Sequence, residues 1–590
     1  MYDARREVVG VMYSDDEVVS FAYDEFGNEA TASNEVASSV SLRSEQGDCT
    51  NETIVISGGR SSSTAADETL TISRAFDEHR RLTEMDNATY AYNDDGQLSS
   101  ISNDIVSVDY TYTPDRLDSG YSLTLSNGVV FSRSLVRDGF RRSLVMDITN
   151  AGGGVPAEGI AYAYDALSRP TSRNNDTFGY NARSEVTAAA ITGGSPSPAT
   201  AHYNYDDIGN LLFSAFNAVT NTYTANNLNQ YTTILRASAS PREITHDLDG
   251  NMTQCGDLAY IYDAANRLKT VSSNGVLLVT NFYDAKSRRV KKVTSEATTT
   301  FFYDGWNLVE ERIAYTNGIS STIRYFWGKD LSGTLQGAGD VGGLLYLTID
   351  GVPYVPNYDN IGNITRYLDA NGNVVAQYTY DAFGGTLSQS GTLASFFRHR
   401  FSTKYLDVET GFYYYGYRFY HPDLCRWLNR DPIGEDGGVN IYGFCKNVPL
   451  MYYDIKGEDI YLYTGNDSWS PINNMLHQAV AVDVWSDDCP PVKIGIRGFS
   501  FAFFFEFKWN WGSKTWLGQP SVTLPGLVMV GEIYDIDDVP GKVVKQKHTT
   551  YQQDKAWLEK MESKVGTKDV YSVGRHNCRA FSQAEFEKAP

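Results

Sequence analysis

The feature that most constrains this chain is a recurring pair, tyrosine or phenylalanine-tyrosine followed by aspartate or asparagine. The units include FAYDEFGN (21–28), YAYNDDGQL (90–98), AYAYDALSRPT (161–171), FGYNARSEVT (178–187) and YNYDDIGNLL (203–212). They continue through YIYDAANRLKTV (260–271), NFYDAKSRRVKKV (281–293), FFYDGWNLVEER (301–312), NYDNIGNITRY (357–367) and YTYDAFGGTL (378–387). From Asp206 the anchor recurs at 227, 249, 263, 284 and 304. A unit of about 20 residues cannot bury a face alone, so the array predicts stacked units sharing one core.

Each unit has a physical reading. Tyr-x-Tyr alternates with period two, which places both tyrosines on one face of a strand. The Asp or Asn starts a turn through its side chain, and the Gly or Asn after it tolerates positive φ. A second strand then leaves, giving a hairpin whose tyrosines stack across strands. The pattern weakens in four places. Residues 120–155 keep the alternation without a Tyr-Asp anchor and read as strands of a degenerate unit. Residues 188–200 read as a loop inserted in the array, 30–70 as an irregular Ser/Thr/Ala-rich stretch, and 329–343 as a Gly-rich loop.

The array ends in a dense segment, FSTKYLDVETGFYYYGYRFYHPDLCRWLNRDPIGEDGGVNIYGFCKNVPLMYYDIKG, at 401–457. Tyr413, Tyr414, Tyr415, Tyr417, Phe419, Tyr420 and Trp427 form an aromatic block that reads as core packing. Asp431, extended by the proline after it, is followed by Gly437, Gly438 and Asn440, which permit a sharp return towards Asp454. Two carboxylates brought together share a proton, one pKa being raised. Aspartates are common in turns, so this spacing alone does not establish the pair.

The units resemble the RHS/YD-repeat family, which includes teneurin and toxin-complex shells, and the end of the array resembles the RHS-associated core. The resemblance implies a mainly β fold: YD-repeat hairpins spiralling into a hollow β-shell over 1–400, a core that plugs it over 401–457, and a small α+β variable domain over 458–590. It also implies that Asp431 and Asp454, with Arg430 beside the first, cut the chain shortly after Gly457. Cys425 stands where the family usually has glycine, and Asp454-Ile455-Lys456-Gly457 departs from the family's second motif.

In 458–590 the repeat is lost, and the segment reads as strands at 477–485, 492–509 and 528–536 with helices at 549–566 and near the end. Cys578 follows Asn577, a good N-cap, so it falls in a first helical turn that favours a thiolate. His477 at a strand start could serve as its base. The order weakly resembles a permuted papain-like Cys–His arrangement. Asp483 lies too far along the strand to orient His477, Glu506 and Asn510 are unsupported orienting groups, and His548 and His576 are rival bases. A zinc site from His548, His576 and Cys578 lacks a fourth ligand. No cofactor or metal is expected.

Charge narrows the function. The net charge is −22, which argues against a nucleic-acid-binding shell. Segment 458–590 holds 14 Lys and Arg against 17 Asp and Glu, which disfavours a nuclease. The six cysteines form no C-x-x-C motif. The N-terminus has no apolar signal region, and the apolar run at 499–511 is too short for a membrane helix. The chain starts inside the repeat pattern, as a fragment of a longer protein would.

Three functions are thus in play. The first is a bacterial polymorphic toxin of the RHS type, exported or cell-surface associated, whose self-cleavage frees a C-terminal Cys–His hydrolase or acyltransferase. Its partners would be its own C-terminal domain as cargo, an immunity protein and a secretion machinery, with no nucleic acid and no membrane span. The second is a non-enzymatic adhesion shell, and the third a toxin of another chemistry such as a nuclease.

Overall fold

A computed structural model describes residues 69–458 apart from Arg80, 152–157, 194–196 and Ser238; outside that span it describes the backbone of strands alone. The chain divides into two compact units, Met1–Asn466 and Asp467–Pro590. The first is built on a 35-stranded antiparallel sheet running from Gly10–Met12 to Thr386–Ser390. Neighbours in sequence are neighbours in the sheet, as in Ala199–Tyr205 against Leu211–Phe216 and Leu258–Tyr262 against Leu268–Ser273. The mainly β fold is therefore that expected. The stretch at 30–70 differs: strands Ala37–Arg43 and Asn51–Gly58 pair with each other and join the sheet. Serine and threonine alternating with valine and isoleucine suit a pleated strand as well as a loop.

The turns explain the repeat. In the unit at Asp206, Oδ1 accepts the N–H groups of Ile208 and Asn210, at 2.9 and 2.8 Å. The Asp206 N–H donates to Asn210 O, and the Gly209 N–H returns to Asp206 O. The same four bonds recur at Asp263 and Asp284, where the residue three after the anchor also has positive φ, here Asn266 and Ser287. The anchor needs only a short oxygen-bearing side chain. Thr113 supplies it with Oγ1, which accepts the Leu117 N–H, and Asp138 supplies it inside the degenerate 120–155 region. The structure also moves two anchors, to Asn226 and Asp247 rather than 227 and 249. Where acidic and amide residues stand together, composition does not say which one caps.

Tyrosine is required for its hydroxyl as well as its ring. At four anchors the tyrosine just before donates to a carbonyl of the preceding unit: Tyr164 to Ser143, Tyr205 to Val186, Tyr283 to Leu268 and Tyr303 to Arg289, at 2.6–2.9 Å. Each acceptor lies five residues past the previous anchor, so one unit locks the register of the next. Arginines four after an anchor add a second tie. Arg142, Arg169 and Arg267 each pair with their own anchoring aspartate and lie over the next unit's tyrosine, at 4.7–5.1 Å from the ring. Tyr205→Phe leaves the Val186 carbonyl unpaired in the core and is expected to cost about 1–3 kcal/mol. A drop in the thermal midpoint measures this, and an unchanged midpoint would refute the register lock.

The sheet returns on itself at long range. Asn103 donates to Tyr346 Oη, Asn127 to Ala370 O and Arg312 to Thr69 O, each pair 243 residues apart. Ile72 and Phe302 pack together and Arg74 pairs with Asp304, each at a step of 230 residues. Successive coils are thus superposed.

The 401–457 segment forms its own four-stranded sheet, Tyr405–Asp407, Phe412–Tyr414, Phe419–His421 and Arg426–Trp427. It docks on the turns of the array. Asn447 donates to Gly209 O, Arg426 to Asn229 O, Tyr442 to Gly250 O and Asn429 to Asn266 O. Each acceptor is the positive-φ residue of a successive turn. The aromatic block is core packing as read, with Tyr413, Tyr420 and Trp427 at 1% exposure or less, while Tyr417 is only half-buried against Trp306. Cys425 adopts φ 53°, which accounts for a glycine preference at its position.

Unit 467–590 is described only as strand backbone: Ala479–Trp485, Lys493–Ala502, Thr523–Tyr534 and Lys568–Ser572 form an antiparallel sheet. The strands expected at 477–485, 492–509 and 528–536 overlap the first three. His477, Glu506, Asn510, His548, His576 and Cys578, and both expected helices, lie outside the described residues. Among the described residues no helix is long and apolar enough to cross a membrane.

Candidate active site

Asp431 and Asp454 come together, and the group that joins them is Arg418. Its Nη2 lies 2.8 Å from Asp431 Oδ2 and 3.6 Å from Asp454 Oδ2. Each residue is placed by local rules. Asp431 follows strand Arg426–Trp427; its N–H donates to Ile441 O, and its Oδ1 accepts the Ile433 N–H. The return between them uses a 3-10 turn at Gly434–Gly437 and Gly438 at φ 139°, as the glycines suggested. Asp454 ends strand Tyr452–Asp454, which pairs with Ile460–Leu462 so that Asp454 faces Ile460. Residues 455–458 therefore lie in the bend of a hairpin.

Arg418 enters from the edge of the strand Phe419–His421 and lies 4.2 Å from the Trp427 ring. Arg430, the arginine expected here from its place beside Asp431, is exposed and packs against the turn at Gly250 instead. Adjacent residues on an extended backbone point to opposite sides, so the neighbour of a buried aspartate faces out. The burial of Arg418, at 1% exposure, was the missing signal, and the sequence does not show it.

The segment after Asp454 is held on both sides. The Gly457 N–H donates to Asp454 Oδ1, and the Gly457 carbonyl accepts from Arg418 Nε. The Lys456 carbonyl accepts from the Tyr417 N–H at 2.9 Å, and the Ile455 carbonyl from Lys404 Nζ at 2.6 Å. Gly457 has φ 80° and lies against the Arg418 backbone, so a side chain there would be strained twice over. One guanidinium thus touches both carboxylates and the carbonyl of Gly457.

Burial sets the electrostatics. Asp454 has no exposed surface, which pushes its carboxyl up to about 7. Arg418, the Gly457 N–H and Lys404 oppose this rise, and Asp431 adds to it. Burial also lowers the Arg418 pKa from its ordinary value, against the pull of Asp454 and Asp431. Asp454 Oδ2 and Arg418 Nη1 are buried without a hydrogen-bond partner, so the pair keeps an open acceptor and an open donor. A carboxyl whose folded pKa is raised stabilises the fold below its ordinary value of 3.8, and that contribution is lost as pH rises through 7. Asp454→Asn is therefore expected to gain stability relative to the parent between pH 5 and pH 8. Thermal midpoints across that range check it, and parallel curves would refute it.

Among the described residues no group of three or more His, Cys, Asp or Glu side chains is placed to hold a metal ion.

Comparison with known proteins fits this architecture. The teneurin YD-shell family model matches residues 160–450. The tRNA3(Ser)-specific nuclease WapA of Bacillus spizizenii is 30% identical over 273 residues, 44% of this chain and 11% of that protein. Toxin subunit YenC1 of Yersinia entomophaga is 29% identical over 300 residues, 43% of this chain and 28% of that protein. A structure of the Photorhabdus luminescens Tc holotoxin pore matches with a TM-score of 0.53 at 15% identity, covering 78% of this chain and 27% of that one. The chain belongs to the RHS/YD-repeat shell proteins. It spans only about a tenth to a quarter of the length of these curated relatives, one a tRNA-specific nuclease and the other a toxin subunit.

Proposed function

We propose that this shell protein cuts its own chain after Gly457 and so releases the segment from Glu458 onward. The observation that carries the reading is the joint contact of Arg418 with Asp431, Asp454 and the Gly457 carbonyl. Asp454, protonated near neutral pH, acts as the acid, and Asp431 as the base. Water adds to the Gly457 carbonyl carbon and gives a proton to Asp431, while Arg418 stabilises the oxygen as it becomes negative. The carbon–nitrogen bond breaks, the Glu458 nitrogen takes the Asp454 proton, and the products are a Gly457 carboxyl and a Glu458 amine.

The released segment is read as a toxin cargo, in keeping with the toxin relatives. It would be exported by a secretion machinery, be neutralised by an immunity protein in the producing cell, and act through Cys578 and His477 as a hydrolase or acyltransferase. Arg430 has no part in the cut on this reading.

The test is purification of the full chain and sequencing of the N-terminus of any small fragment. A fragment starting at Glu458, lost in Asp431→Asn, is the expected result. Its rate should fall about tenfold for each pH unit above 7, as Asp454 gives up its proton. A whole chain, or a fragment that survives Asp431→Asn, defeats the reading. For the cargo, expression of 458–590 in bacteria with and without Cys578→Ala separates a thiol enzyme from a toxin of other chemistry.

A further inference from the structure

The cleavage reading leaves one reactant to be supplied. Hydrolysis consumes a water, yet the pair is largely enclosed: Asp454 is 0% exposed and Arg418 1%, and solvent meets the group only at the Asp431 edge, 8% exposed. A water on the enclosed Asp454 side of the bond must therefore be held inside before the bond is cut.

A cavity of about 50 Å³ lies beside the segment that carries the bond. Its walls include Ile455 and Lys456 from that segment, and Asp340, His399 and Lys404 from the elements around it. A water needs roughly 10–15 Å³ on this measure and two to four polar partners, so the space suits about three waters. The partners are there. Asp340 Oδ1 and His399 Nδ1 are buried on this wall without a hydrogen bond, and His399 is only 5% exposed. Lys404 Nζ bonds the carbonyls of Ile455 and Gly339, which uses two of its three N–H groups. Gly339 also meets Ile455 so closely that a side chain at 339 would overlap it. The cut segment is thereby clamped to one wall of the cavity.

We propose that this cavity is a water-binding site that feeds the Asp431–Asp454 pair. Asp340 and His399 anchor the stored water, and Lys404 is a positioning residue that keeps Ile455 and Lys456, just before the bond, against it. The inference rests on the self-cleavage reading. One stored water provides the oxygen that ends on the Gly457 carboxyl. Its two protons go to Asp431 and to that new carboxyl, the latter ionising to solvent after the cut, and Asp454 protonates the departing Glu458 nitrogen.

The experiment uses the full chain. His399→Phe keeps the ring contacts with Tyr325, Trp327 and Tyr405 but removes an anchor. It is expected to slow the appearance of the Glu458 fragment about tenfold, and His399→Phe with Asp340→Leu about a hundredfold. His399→Gln, which restores a polar atom, should recover much of the rate. Folding is checked by the thermal midpoint of the same changes in an Asp431→Asn background. A crystal structure of that uncut Asp431→Asn chain should show ordered water on His399 Nδ1 and Asp340 Oδ1. Folded cavity variants that cut at the parent rate, while Asp431→Asn does not cut, overturn the inference and leave the cleavage reading standing. A dry cavity in the crystal overturns it also. A parent chain that never cuts removes the cleavage reading and the supply role with it.

Discussion

Arg418→Met is expected to destabilise the shell by about 3–5 kcal/mol and to leave the chain uncut. The guanidinium is buried between two carboxylates, one of them fully enclosed. Methionine fills the volume but strands two acidic groups facing each other without a cation. One of them must bind a proton or the site must open, and either costs energy. Arg418 also holds the Gly457 carbonyl, so its loss removes both the charge balance and the aim of the bond. Two measurements separate these roles. The thermal midpoint should fall, and adding Asp431→Asn and Asp454→Asn to Arg418→Met should restore most of it, since no charge is then left buried. The fragment should stay absent in both. An Arg418→Met chain that melts and cuts like the parent would sink the assignment.

Asp407→Ala is expected to cost a similar 3–5 kcal/mol, although Asp407 has no role in the proposed cut. Asp407 ends a strand of the 401–457 sheet, and its carboxylate meets Arg289 at 2.6 Å and Lys292 at 3.2 Å from the repeat array. Burial pushes its pKa up, but the two cations outweigh this and hold it below the ordinary carboxylate range. The arginine is enclosed by Phe301, Tyr405 and Tyr414. Removing the carboxylate strands Arg289 in an aromatic box and frees the sheet from the array. The double change Arg289→Met, Asp407→Leu should be milder than Asp407→Ala alone, because an apolar pair of similar size leaves no buried charge. Resistance to protease at the 401–457 boundary and the thermal midpoint both report it. If Asp407→Ala is silent in both, this network does not fasten the 401–457 sheet to the array.

The repeat was legible because its signals are local. A tyrosine before a short oxygen-bearing side chain, with a residue tolerant of positive φ three places later, carries its own turn geometry. Where the signal failed, the same geometry was met by other chemistry. Thr113 and Asp138 cap turns that lack a Tyr-Asp pair, and the caps of two units sit at Asn226 and Asp247 rather than their neighbours. The pairing of Asp431 with Asp454 was suggested by resemblance and not by spacing. The choice of Arg418 over Arg430 was not legible at all, since both are arginines in an aromatic stretch and only burial tells them apart.

The sequence by itself determined the hairpin unit, its turn, its alternating faces and the point where the array stops, because those depend on residues within about 20 positions of one another. The tertiary structure alone decided what depends on distance. It decided that coils meet at a step of 243 residues and that the 401–457 sheet reads the carbonyls of four turns. It also decided that one arginine from the edge of a strand reaches two aspartates and the backbone between them and Glu458. Burial is a property of the packed whole, and it is burial that raises the pKa of Asp454 and makes Arg418 their common partner.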